Sequence, residues 1–409
     1  MLLKVLNKKI LGDKFIFGLF GLFFARHFMV AMPVFVIFVK SLGFSNSAFF
    51  LLQAYFSLML LLLEIPTGYL ADKINRKTTL IFGTVFAILG TATYGFSNGF
   101  FGIVIAETLL ALSAALYSGA NSAILYDYLL SKNKEKEYTR YEGKLFSVMS
   151  FSEGLAAIAS VFFVLILPLH ALFWVQTTVI ILLGIPSLFL IREPLKHTKH
   201  SITLPQIIKF ILREHPFMFL LQVFASIISV STWVFAFLGQ AFWKDIGTPE
   251  YAFGAIWAIA NILVGLGALI AHRINAKFNF FKLFLFFTFT PFLLYFTLAT
   301  LFHLNVNFIF MVIFSLLFWI FRGIYNPIFK DYINKEVSSE VRATTLSAQS
   351  FFNSLAFVIF SPFVGFLSDY TSYDVTFFIV GLLFSGILLL LFLFLAPKLS
   401  TAYDLRHKK

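Results

Sequence analysis

Lys40-Ser41-Leu42-Gly43, followed by Ala48-Phe49, returns as Lys244-Asp245-Ile246-Gly247, followed by Ala252-Phe253. The displacement is 204 residues in a chain of 409, half its length. The same displacement carries Gly119, Asp127 and Tyr128 onto Gly323, Asp331 and Tyr332. The matched segments occur in the same order in both halves, which predicts one architecture built twice. If each half holds an even number of membrane spans, the repeat is parallel, about an axis along the membrane normal. Among transporter plans with internal repeats, that is the one with two six-helix halves and a midplane site between them.

The composition supplies the membrane. Sixty per cent of residues are hydrophobic and only 12% charged, with a mean hydropathy of +0.90. Soluble domains run at about 45–50% apolar and ~25% charged. Apolar runs of 18 or more residues recur along the chain, each long enough to cross a ~30 Å hydrocarbon layer as a helix. The predicted helices cover 15–39, 47–70, 78–97, 100–124, 145–167, 170–191, 215–241, 251–271, 283–302, 307–329, 344–367 and 375–396. The ~10-residue alternating segments of an outer-membrane barrel are not visible. Disorder, a nucleic-acid-binding domain and a disulfide scaffold are excluded, and a chain without cysteine has no thiolate metal site.

The net charge of +12 sorts by connection. Of the 31 basic residues, 27 lie at the termini and in the loops around Lys73, Lys132, Lys196, Arg273 and Lys335. The intervening connections carry two, Lys40 and Lys244. The positive-inside rule then places both termini in the cytoplasm and makes the number of spans even. Met1–Lys14 is a basic stretch before about 25 apolar residues, too many for a signal-peptide core of 7–15. It reads as the approach to an uncleaved first helix. The polar stretch 192–213, with Pro194 and Pro205, reads as a cytoplasmic linker between halves 1–191 and 214–409.

Between the second and third predicted helices stands Glu64-Ile65-Pro66-Thr67-Gly68-Tyr69-Leu70-Ala71-Asp72-Lys73-Ile74-Asn75-Arg76-Lys77. This resembles the signature loop of the major facilitator superfamily: a glycine, an Asp four residues on, then a basic pair closing a tight turn. Gly68 is expected to permit close helix contact. Asp72 offers a carboxylate to a neighbouring helix N-terminus, where the dipole favours it, namely the start of the eleventh helix near Arg342–Thr345. Arg76 and Lys77 hold the loop at the inner surface. Asn75 replaces the family's usual glycine, and Asn tolerates a left-handed backbone better than most residues. The second-half copy is degraded, with Ala276 opposite Asp72, although Arg273 and Lys277 keep the charge. Together with Ser118-Gly119, Leu125-Tyr126-Asp127, Arg322-Gly323, Asp331-Tyr332-Ile333-Asn334 and Arg342-Ala343-Thr344, the loop resembles a bacterial branch of the superfamily labelled as exporters. The family's fourth helix often has an Arg before its glycine. Here that place is Ser118, so a proton-coupling role for that arginine does not carry over.

The resemblance implies an all-α integral membrane protein with twelve transmembrane helices in two six-helix bundles. The ionisable residues within spans are then the functional candidates. They occur in helices that line or flank the cavity in proteins of this type: Arg26 with His27, Glu64, Glu107, Glu153 and Arg322. Arg26 is expected to contact substrate or a buried carboxylate, and His27 to carry a proton or pack by a hydrogen bond. Glu64 suits a structural role near the loop. Glu107 and Glu153 are proton sites or structural ion-pair partners. At ~1.5 Å per residue, Arg26 and Glu153 lie at roughly similar depth, which suggests a pair whose contact changes as the cavity opens. Arg322 is expected to face the cavity floor or bind loop charges, and Asp127 and Asp331 to form inner-face pairs with loop cations. Trp233, Gln240, Trp243 and Asn261 could line the cavity, with Trp243 the better candidate for an interface anchor.

No Walker loop, His-Glu-x-x-His motif or soluble catalytic domain is present in the sequence, so no enzyme and no cofactor is expected, and active transport would draw on an ion gradient. The expected protein is a monomeric transporter of the cytoplasmic membrane. Its partners are a small-molecule substrate, protons and membrane lipid, and not nucleic acid. The function this implies is proton-coupled export of a small organic solute by alternating access. Uptake of an anionic metabolite or metal chelate, a lipid translocase, and a sensor that binds without transporting are the rivals.

Overall fold

The structure is a computed structural model describing residues 12–193, 216–336 and 342–407. Residues 194–213 of the expected linker lie outside that range. Among the described residues twelve helices are long and apolar enough to cross a membrane, and no strand occurs. They are α1 (Lys14–Ser41), α2 (Asn46–Lys73), α3 (Arg76–Phe96), α4 (Phe100–Ser131), α5 (Tyr138–Ile166), α6 (Ala171–Leu190) and α7 (Pro216–Asp245). They continue with α8 (Glu250–Lys277), α9 (Phe280–His303), α10 (Phe308–Ile333), α11 (Arg342–Tyr370) and α12 (Tyr373–His407). The bundle is all-α, with no site that depends on sheet edges or strand loops.

The repeat read from short sequence matches extends to helix ends. Helices α2 and α8 begin 204 residues apart and finish 204 residues apart, and so do α5 and α11. Gly43 and Gly247, in the turns before α2 and α8, have φ of +86° and +89°, a backbone region open to glycine and strained for other residues. Helices α3 and α9 also start in register. Asn75 caps α3 by accepting from the Thr78 amide at 2.7 Å, and Asn279 caps α9 by accepting from the Lys282 amide at 3.0 Å. Asn75 itself is extended, at φ −173° and ψ 160°. The residue thus serves the loop as an N-cap, not through a left-handed turn. Asparagine is among the strongest capping residues because its side-chain oxygen satisfies an orphan amide of the first turn.

Three helices depart from the continuous spans expected. Helix α1 breaks after His27 and resumes through a 3-10 turn at Met32–Val34, where Pro33 lacks an amide proton to donate. Helix α6 widens to a π turn at Ile180–Gly184, just ahead of Pro186. Helix α10 is interrupted at Leu316.

The chain divides into two compact units. The first comprises Met1–Gly43, Tyr55–His200 and Pro249–Ala258, and the second Phe44–Ala54, Ser201–Thr248 and Ile259–Lys409. The first turns of α2 and α8 therefore belong with the opposite half of the sequence. In the second unit the Asp369 carboxylate, on α11, accepts the Asn46 and Ser47 amides at 2.9 and 2.8 Å and caps α2. In the first unit a Cβ built on Gly254 would lie 2.6 Å from the Ala157 carbonyl, so α8 and α5 touch backbone to backbone.

Within each unit the peripheral helices pack through small residues: Gly83 of α3 against the Tyr117 ring of α4, and Gly381 of α12 against Tyr295 of α9. Aromatic rings fill the interiors. Phe235 of α7 stacks on Phe318 of α10 at 3.7 Å, and Phe15 of α1 on Tyr128 of α4 at 3.8 Å. Exposed Phe101, Phe162, Phe189, Phe310 and Phe394 give the helices the apolar outer faces that hydrocarbon requires.

Candidate functional site

Arg26 sits at the last turn of the first segment of α1, just before the helix breaks. Its guanidinium lies over the Tyr117 ring of α4, 4.1 Å from the centroid. The ring is held in place from behind. Tyr117 donates its hydroxyl hydrogen to Thr84 of α3 at 2.7 Å, because the Thr84 hydroxyl already donates to the Leu80 carbonyl. Among the described residues the charged and polar neighbours of Arg26 are Tyr117 and His27, and no carboxylate is one of them. A desolvated cation–π contact contributes about 2 kcal/mol. A guanidinium at the centre of a span costs ~2.5–3.5 kcal/mol on insertion scales, so the ring offsets part of that cost and leaves the charge itself without a counter-ion. The His27 Nδ1–H donates to the Phe23 carbonyl at 2.9 Å.

The second half carries the same device with its two components exchanged. Arg322 of α10 lies 3.8 Å from the centroid of Trp233 on α7, with Trp319 at 5.7 Å. Helices α10 and α7 are the repeat mates of α4 and α1, so the cation has moved from one helix to the other and the ring has moved the opposite way. Trp233 is 37% exposed, in keeping with a residue that faces outward from its own unit. Trp243 is not an interface anchor: it is 1% exposed and donates its indole N–H to Ser315 at 3.1 Å. Burial along its whole length against α10 leaves it no lipid headgroup to meet. Gln240 is fully buried in the same helix, and Asn261 of α8 is partly exposed.

Two further carboxylates lie within spans of the first half. Glu107 of α4 is 3% exposed and lies against the hydroxyl of Tyr94 on α3, whose ring packs among those of Phe35, Phe38 and Phe173. Glu153 of α5 is partly buried. It follows Ser152, whose hydroxyl donates to the Phe24 carbonyl at 2.6 Å and ties α5 to α1. Glu64 of α2 is exposed on its unit.

Around the loop motif the helix ends are organised by acids that cap or pair. Arg76 forms an ion pair with Asp127 of α4 and also donates to the Ala123 carbonyl at 2.6 Å. Glu193, just after α6, accepts the Arg76 and Lys77 amides at 3.0 and 2.7 Å. A negative carboxylate thus sits on the positive end of α3. In the second half Asp331 accepts from the Asn275 side-chain amide at 3.0 Å, a neutral partner where the first half has an arginine. Among the described residues, a Cβ built on Gly68 would meet nothing within 4 Å. The side chains of Asp72 and Arg342 lie outside those described.

Sequence reading missed Tyr117, Thr84, Glu193, Asp13 and Asp369. Asp13 caps α1 and receives the Tyr128 hydroxyl at 2.7 Å. All five act on partners on other helices, 33 to 323 residues away, and no local pattern announces such a partner. The one available signal was the presence of Tyr and Trp beside the arginines' helices.

Comparison with known proteins agrees with this architecture. The sequence model of the Major Facilitator Superfamily matches residues 15–361. An uncharacterised transporter of Buchnera aphidicola is 32% identical over 164 residues, 39% of this chain and 40% of its own. An uncharacterised transporter of the same superfamily from Schizosaccharomyces pombe is 31% identical over 143 residues, 35% of this chain and 31% of its own. The chain thus spans two fifths or less of the length of these relatives. Solved structures with the same fold include a nucleoside transporter (TM-score 0.71, 15% identity, covering 96% of this chain and 99% of that one). A D-xylose–proton symporter is similar to the same degree (TM-score 0.72, 14% identity, 92% and 96%). A peptide transporter of the POT type matches likewise (TM-score 0.72, 13% identity, 95% of each). The family model matches most of the chain, and the twelve apolar spans are those of a multi-pass membrane protein: the chain belongs to the Major Facilitator Superfamily.

Proposed function

We propose that this transporter exports a small organic solute across the cytoplasmic membrane in exchange for protons. On this reading residues 1–191 and 214–409 are the two moving halves, 192–213 joins them in the cytoplasm, and the working unit is a monomer. The observation that carries the proton coupling is Glu107. A carboxylate at 3% exposure within a span is costly to keep charged, and a change in its surroundings would shift its affinity for a proton. Glu153, partly buried on the helix tied to α1, is the second acceptor. The cytoplasmic membrane and the inward-facing termini follow from the distribution of basic residues.

Inside-out vesicles with an imposed pH gradient test the proposal. Addition of a transported solute from a panel of organic anions, nucleosides, sugars and short peptides should collapse the gradient in the parent protein. Glu107→Gln should abolish that collapse while solute-for-solute exchange persists. If coupling survives in Glu107→Gln and fails in Glu153→Gln, the proton site moves to Glu153. Coupling that survives in both variants ends the proton claim.

A further inference from the structure

Arg26 is a permanent charge that is seated on a ring and has no counter-ion among the described residues. Its described neighbours are the face of Tyr117 and the His27 ring. Among the described residues no acceptor atom meets its five N–H donors. A lysine in this position could give up its proton; a guanidinium cannot. The residue is partly exposed. The Tyr117–Thr84–Leu80 chain of hydrogen bonds fixes the ring beneath it, and a ring covering the face of a guanidinium leaves its edge, where the N–H bonds point. That edge presents donors in a planar fork matched to two oxygens of one acid group.

From this geometry we infer that Arg26, seated on Tyr117, is the anchor for the oxyanion of the transported solute, a carboxylate or a phosphate carried by a small organic molecule. The inference rests on the transport reading and names its substrate class. A purely structural Arg26, stapling α1 to α4 through the ring, would bind nothing at its edge. The recurrence of a stacked arginine at the α7–α10 crossing, with cation and ring exchanged between helices, shows that neither helix of the pair needs a particular one of the two residues for packing. What both halves retain is a guanidinium presented on an aromatic face.

The experiment uses the full-length purified protein in detergent at constant ionic strength, with benzoate, phenyl phosphate and neutral benzamide as probes. Thermal unfolding is followed as each is titrated, since a ligand of the native state raises Tm by mass action. Benzoate or phenyl phosphate should give a saturable rise and benzamide none; whichever oxyanion acts identifies the acid group. Arg26→Gln should lose the saturable rise. Arg26→Lys, which keeps the charge without the fork, should weaken the apparent affinity by about tenfold, and Tyr117→Phe, which keeps the ring, should retain most of it. The inference is overturned by an equal rise with benzamide, by a rise of unchanged affinity in Arg26→Gln, or by no rise with either anion. If Arg26→Gln does not fold, Arg26→Lys decides, and parental affinity in that variant overturns the proposed anchor. Exchange of labelled benzoate in proteoliposomes separates the two readings. A Tm rise without exchange defeats transport and leaves the anchor standing, whereas exchange of neutral solutes with no anion effect on Tm does the reverse.

Discussion

Gly323 and Gly68 look alike in the sequence and have opposite tolerance for a methyl group. A Cβ at Gly323 would lie 2.2 Å from the Val264 carbonyl and 3.0 Å from the Gly267 Cα, both backbone atoms of α8 that cannot rotate away. Gly323→Ala is therefore predicted to lower stability by about 1–3 kcal/mol through overpacking. Among the described residues a Cβ at Gly68 meets nothing within 4 Å, and Gly68→Ala should raise stability by roughly 0.5–1 kcal/mol, because alanine loses less backbone entropy in a helix. Unfolding midpoints in detergent compare the two directly. A loss of stability in Gly68→Ala would restore the close contact that the loop's resemblance to the family implies. The charged residues teach the same lesson at this scale. Asp127 and Asp331 are repeat mates, yet one pairs with the Arg76 guanidinium and the other with the Asn275 amide.

Helix ends, more than helix interiors, distinguish this chain from a generic set of apolar spans. Asn75 and Asn279 cap α3 and α9 by the same side-chain bond to the amide three residues on, and Glu193 adds two further bonds at α3. Asn279→Ala is predicted to cost about 1 kcal/mol, a usual loss for a single cap. Asn75→Ala should cost less than its mate, since the Glu193 carboxylate still satisfies two amides of that turn. The double variant should show the sum of the single effects, the sites belonging to different units and sharing none of the described partners. Chemical-denaturant titration in mixed micelles measures all three, and a larger loss at Asn75 than at Asn279 would show that the Glu193 bonds depend on the cap. The break in α1 belongs to this scale too: it ends one turn just after Arg26 and His27, which sets the arginine at a helix end.

For the molecule as a whole the testable quantity is orientation. Single cysteines placed in this cysteine-free chain at Asn98 and Asn305, both exposed in connections between α3 and α4 and between α9 and α10, should react with impermeant thiol reagents in intact cells. A cysteine at Lys132, exposed after α4, should react only after the cells are permeabilised. Labelling of Lys132→Cys from outside would invert the assigned topology and with it the meaning of export.

Twelve spans, their order and the twofold plan were legible in the sequence because hydrocarbon imposes one-dimensional rules. Length and apolarity define a span, basic residues mark its inner end, and a duplication preserves spacing, so Gly43 and Gly247 recur 204 residues apart both as letters and as left-handed turns. Arg26, Glu107 and Arg322 stood out for the same reason, as charges in an apolar run. What each of them faces was decided by the tertiary structure. Tyr117 is 91 positions from Arg26 in the chain, and nothing local to either residue distinguishes a ring that carries a cation from one that fills a core. Trp243 looked like an anchor because it stands near a span end, yet its indole reaches Ser315 on another helix. Asn75 looked like a stand-in for glycine and is a cap. Membrane burial depends on one residue's own transfer free energy and can be read along the chain, whereas a hydrogen bond or a stacked pair depends on two surfaces that meet only once the helices have packed.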